Sequence, residues 1–116
     1  MVLMYFNAKE FDNFEKMDSE FLRLLDEVRH LSGVPMIITS DYRNKNKNKE
    51  VNGSPDSAHL YGWAVDVACA NSIARMALIK AALEVGITRI GVASNFLHFD
   101  IADRYSTKPK NVIWTY

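Results

Sequence analysis

The segment WAVDVACA, residues 63–70, sets the tightest limit on how this chain can fold. Its small, β-branched and aromatic residues read as a strand. Alternation puts Ala64, Asp66 and Ala68 on one side and Val65, Val67 and Cys69 on the other. A carboxylate in the middle of so apolar a run is costly unless it is paired or bound to a cation. The fold therefore has to bring Asp66 a partner.

The surrounding pattern is that of a small α+β domain. Asp18 and Ser19 suit a helix N-cap, and Phe21, Leu22, Leu24, Leu25, Val28 and Leu31 then recur at helical spacing up to a stop at Gly33. Arg29 and His30 in the last turn suit the helix dipole, which makes His30 a helix-end residue. Asn71 or Ser72 caps a second helix, in which Ile73, Met76, Ala77, Ile79, Lys80 and Leu83 keep helical spacing before Gly86. Short strands are expected at MIIT (residues 36–39), at 87–92, at 96–101 and in the closing VIWTY. Between the first two strands lies SDYRNKNKNKEVNGSPDSAH, read as one long polar loop, of a length that in so small a domain is usually functional or disordered. Residues 1–16 read as an irregular or partly helical lead-in packed on the core. The expected architecture is one domain over 1–116, with two main helices against a mostly antiparallel sheet.

Composition excludes several functions. With 116 residues there is room for one core. Lys plus Arg and Asp plus Glu both number 14, so the net charge of zero argues against a nucleic-acid binder. The basic run RNKNKNK has no aromatic among its residues and reads as solvated. Cys69 is the sole cysteine, so no intrachain disulfide forms, and it reads as a buried small hydrophobe. No apolar run approaches the ~20 residues of a membrane span. No cationic-then-apolar leader opens the chain, which leads to the expectation of synthesis in the cytoplasm without a signal peptide.

Two histidines keep suggestive company. His59 lies seven residues ahead of Asp66, and His98 lies in NFLHFDI with Asp100 two residues on. His59, Asp66 and His98 make two imidazoles and a carboxylate, a set that suits catalytic zinc with one position kept for water. A turn at Gly62 can fold the His59 loop back beside the strand. Arg43, in TSDYR, can approach the same face and hold a substrate carboxylate or stabilise developing negative charge. Each residue also has a plainer use: a structural or surface histidine, a strand Asp paired with an Arg, an Arg paired with Asp41 or Glu50.

TSDYR at 39–43, SAHLYGWAVDV at 57–67, TRIGVASNFLHFD at 88–100 and NVIWTY at 111–116 together resemble the D-alanyl-D-alanine carboxypeptidase family of zinc peptidases, which includes phage and bacterial peptidoglycan endopeptidases. MDSEFLRLLDEVRHLSGVP also looks like the helix that precedes this core in short phage-type members. The resemblance runs from about Met17 to the end. It implies a compact α+β fold with a central antiparallel sheet, one zinc ion held by His59, Asp66 and His98, and Arg43 near the scissile bond. Ser40 and Ser57 would sit beside the site as hydrogen-bonding, substrate-side groups. The implied reaction is hydrolysis of peptide bonds next to D-residues in peptidoglycan stem peptides by metal-activated water. A monomer fits that picture, acting either on the wall after phage or prophage lysis or on cytoplasmic precursors.

Two departures stand out. Many members carry an acidic general base three residues before the last histidine ligand, where this chain has Asn95. Asp100 is the nearest replacement, as general base or as a group that orients a histidine. The loop KEVNGSPDS has one glycine, Gly53, where relatives often have two. Two other readings suit the same residues: a zinc-containing cell-wall-binding module without catalysis, since the same fold hosts non-peptidase zinc domains in hedgehog signalling proteins, and a metal-free domain in which Asp66 pairs with Arg43.

Overall fold

The alternation of WAVDVACA becomes an inner strand of a five-stranded sheet. The computed structural model describes residues 2–116. The strands are β1 (Ile38–Ser40), β2 (Ala64–Ala68), β3 (Arg89–Val92), β4 (Phe96–Asp100) and β5 (Val112–Thr115), in the order β1-β2-β4-β3-β5. All neighbours are antiparallel except β5, which runs parallel to β3. The helices are α1 (Ser19–Ser32), α2 (Lys45–Glu50) and α3 (Ser72–Glu84). This is the α+β architecture expected from the pattern, and no helix among the described residues is long and apolar enough to cross a membrane.

Local chemistry explains the helix ends. The Asp18 carboxylate accepts from the Phe21 amide at 2.9 Å and the Asn71 side chain accepts from the Ala74 amide at 2.8 Å, each satisfying a first-turn donor. Gly33 closes α1 in the left-handed conformation.

The core lies on one face of the sheet. Phe21, Leu22, Leu25 and Val28 of α1, with Leu78, Ala81 and Ala82 of α3, pack over Val65, Val67, Ile90, Leu97 and Phe99. The lead-in, built of two 3₁₀ turns at Ala8–Glu10 and Phe14–Lys16, adds Phe6 and Phe11 to that core. Cys69 is buried and free.

Two expectations need correction. The apolar stripe of α3 is not the one its spacing predicts: Ile73, Met76 and Leu83 are exposed. The helix is apolar nearly all round, so period alone does not pick a face. The small side chains of Ala81 and Ala82 mark the buried side, where α3 meets α1. The long polar segment after β1 is also not one loop. Asn44 caps α2, accepting from the Lys47 amide at 2.8 Å, and Asn48 turns inward to anchor the helix while the lysines point to solvent. A buried asparagine in a Lys/Asn repeat leaves no apolar signal to read.

Candidate metal centre

The other face of the same strands carries the polar residues. Cross-strand register places Asp66 opposite His98, Ala64 opposite Asp100, and Arg89 and Gly91 of β3 opposite Asp100 and His98. Between Ile38 and Ser40 the β1 register shifts by a bulge, which sets Ser40 opposite Asp66. His59 arrives from the 3₁₀ turn Ala58–Tyr61, closed by Gly62 at φ 73°. A Cβ on Gly62 would lie 2.2 Å from the Lys16 carbonyl oxygen, so only glycine fits there.

One donor atom from each of His59, Asp66 and His98 falls within 4.8 Å of the others. His59 Nε2 is 3.4 Å and His98 Nδ1 is 3.1 Å from the same Asp66 Oδ1. Tetrahedral ligands at ~2.0–2.1 Å from zinc stand roughly 3.4 Å apart, so these spacings suit a single ion. Hydrogen bonds at the opposite ring nitrogens fix which nitrogen faces the cluster. His59 Nδ1 is 2.7 Å from the Asp41 carbonyl, which only accepts, so Nδ1 carries the proton and Nε2 keeps its lone pair. His98 Nε2 is 2.6 Å from Asp100 Oδ2, which leaves Nδ1 for the cluster. Imidazoles tied to a carbonyl and a carboxylate in this way are what a bound metal requires around it. The residues present therefore fit a zinc ion.

The electrostatics agree. Burial disfavours ionised Asp66, but hydrogen bonds and charge from His59 and His98 outweigh it and hold its carboxyl well below the usual range. Burial likewise disfavours a charged His98, yet hydrogen bonds to Asp100 and Asp66 outweigh it and raise its pKa. Asp100 pays the same desolvation and is still lowered, through His98, the Ala102 amide and Arg89. The pocket thus favours a positive charge beside Asp66, where a cation is wanted.

Arg43 reaches the cluster and pairs with Asp66 rather than with Asp41 or Glu50. Its Nη2 is 3.3 Å from Asp66 Oδ2, its Nε donates to Ser40 Oγ at 3.2 Å, and its Nη1 donates to Asn48 Oδ1 at 3.4 Å. Ser57 Oγ accepts from the His59 amide at 3.2 Å. Both serines thus serve protein groups and keep a hydroxyl proton to donate. His30 is remote, stacked on Tyr5 at 4.9 Å. Asn95 is exposed in the β3–β4 turn, outside the groove.

The cluster floors a groove of about 500 Å³, into which Arg43, Ser57, Trp114 and Tyr116 also look. A family model described as Peptidase M15 matches residues 5–100. The chain belongs to the peptidase M15 family. No curated protein matches it. The M15 match takes in all three candidate ligands, Arg43, Ser40, Ser57 and Asp100, while Trp114 and Tyr116 lie beyond it.

Within this M15 domain the structure gives parts to groups that the sequence left without an assigned role, Trp114 among them, which reads from sequence as either a groove or a core aromatic. Arg89 is buried against Asp100, Nε to Oδ1 at 2.6 Å, and donates to the Pro109 carbonyl at 2.7 Å. An arginine in an apolar strand facing HFD across a three-residue turn was the available signal. Trp114 packs on the His98 ring at 5.4 Å, and Gly91 makes room for it: a Cβ there would come within 2.7 Å of the Trp114 ring nitrogen. Asp41 and Asn48 had no signal beyond polarity.

Proposed function

We propose that this M15 peptidase is a zinc enzyme that hydrolyses peptide bonds next to D-amino acids in peptidoglycan stem peptides. The observation that carries the reading is the convergence of His59 Nε2, Asp66 Oδ1 and His98 Nδ1, both imidazoles held at their opposite nitrogens, on the floor of an open groove. Zinc bound there supplies a Lewis acid that polarises the scissile carbonyl and acidifies a water. Arg43 offers its guanidinium to a substrate carboxylate or to the oxygen that gains charge. Ser57, on the groove wall, has a hydroxyl proton for the substrate backbone, while Ser40, which does not line the groove, supports Arg43 from behind. Trp114 and Tyr116 give one side of the groove an aromatic surface.

Asp100, weighed from sequence as base or as orienting group, takes the second role in this proposal. Its Oδ2 holds His98 Nε2 on the ring edge away from the cluster, and its Oδ1 accepts from Arg89 and from the Ala102 amide at 3.0 Å. The groove's two carboxylates, Asp66 and Asp100, are therefore both engaged. That one observation favours a second reading, a zinc-containing wall-binding module without hydrolysis.

Incubation with purified peptidoglycan, with and without chelator and with products read by mass, decides between them. Chelator-sensitive release of peptide fragments is expected, and the fragment masses name the bond. Stoichiometric zinc without cleavage supports the module, and no bound zinc removes both.

A further inference from the structure

The lead-in segment reaches the residues that hold the His59 turn, and one of its side chains is engaged there. Asn13 occupies the N-cap position of the Phe14–Lys16 turn, yet makes no side-chain capping bond. Its Nδ2 donates instead to Asp41 Oδ1 at 3.1 Å and to the Tyr42 carbonyl at 3.2 Å, and its amide donates to Asp41 Oδ2 at 2.8 Å. Asp41 is 3 % exposed, so its carboxylate depends on these partners.

The segment that Asn13 grips is the bracket around His59. The Asp41 carbonyl accepts from His59 Nδ1 at 2.7 Å, and two residues later the Arg43 amide donates to the His59 carbonyl at 2.9 Å. At the start of α1, the Asp18 amide donates to the Gly62 carbonyl at 3.0 Å. Ring and backbone of His59 are thus held by residues 41–43, and those residues are held by Asn13.

We infer that Asn13, through Asp41, is a positioning residue of the metal centre, setting the tautomer and aim of His59 toward the ion. The inference rests on the zinc reading above. A side chain that merely packs the lead-in would affect stability alone. One that aims a ligand changes metal affinity, because a misaimed imidazole must be reoriented on binding; partners of this kind are typically worth about 10–100-fold.

The experiment compares Asn13→Ala with Asn7→Ala in the full chain. Asn7 caps the neighbouring turn of the same lead-in, accepting from the Lys9 amide at 2.9 Å, and does not touch Asp41. Zinc affinity is measured by competition with a chromophoric chelator, and unfolding midpoints are measured on chelated protein. Asn13→Ala is expected to weaken zinc about tenfold or more, with Asn7→Ala within about twofold of the parent, whatever either does to the midpoint. Asn13→Leu, similar in shape but without the amide donor, is expected to weaken zinc likewise, and it replaces the alanine variant should that fail to fold. In chelated parent protein the His59 Nδ1 proton is expected as a slowly exchanging downfield resonance that exchanges faster in the Asn13 variants. Equal zinc affinity in the Asn13 and Asn7 variants overturns the inference. A parent protein that binds no zinc overturns the metal reading itself, while the resonance then still reports whether Asn13 holds the His59 ring.

Discussion

Strands β2 and β4 have two buried faces that are held by different forces. Toward the helices, Val65 faces Phe99 and Val67 faces Leu97, and stability there comes from apolar area removed from water. Toward the groove, Asp66 faces His98 and Ala64 faces Asp100, and the residues hold one another by charge and hydrogen bonds. The first face tolerates no water and is indifferent to ions. The second is complete only as a network, because removing one member strands a buried partner. One strand pair serves as a stiff plate, with its packing on one side and its chemistry on the other.

The sharpest test of that contrast is removal of a ligand. His59→Ala is expected to lose zinc and to lower peptidase activity by roughly 10³-fold or more, since the metal supplies several kcal/mol of transition-state stabilisation. The chelated variant should still unfold cooperatively. Full zinc content and full activity in folded His59→Ala would sink the metal centre.

On the apolar face, Phe99→Ala is expected to destabilise the protein by about 3–5 kcal/mol, with zinc or without it. Denaturant midpoints on loaded and chelated protein check this. A loss that appears only in the loaded form would mean the two faces are not independent.

A smaller effect is expected from Asp100→Asn, which removes the anion behind His98 and leaves Arg89 buried without its counter-charge. Zinc affinity should fall about 10–100-fold, with activity following zinc occupancy. If activity at saturating zinc vanishes while affinity is unchanged, Asp100 is the proton acceptor and not the orienting group.

The mildest test is pH. The folded-state pKa of His98 is raised, so in zinc-free protein its contribution is complete below the unfolded value of about 6.5 and is lost as pH rises through the folded value. Asp66, lowered by folding, contributes above about 3.9 and loses that contribution as pH falls through its folded value. Chelated protein should therefore weaken as pH rises past about 6.5, while zinc-loaded protein gains, because zinc takes the place of the His98 proton. Parallel pH profiles with and without chelator would contradict this.

Much of this was legible in the chain. The alternation in WAVDVACA separates the two faces of β2, caps and glycines bound α1 and α3, and a carboxylate among valines announces that something must meet it. Those signals are local, because propensity, period and desolvation cost belong to residues a few positions apart. Pattern did not show which side of a mostly apolar α3 is buried, that α2 forms within a polar stretch, that both oxygens of Asp100 are taken by His98, Arg89 and the Ala102 amide, or that Asn13 reaches Asp41. Except for the local cap of α2 and the bonds of Asp100 to His98 and the Ala102 amide, these depend on contacts between residues far apart in the chain. Such contacts are chosen by how the sheet, the helices and the lead-in fit together, and a hydrogen bond between distant polar groups leaves no period in the sequence for them to be read from.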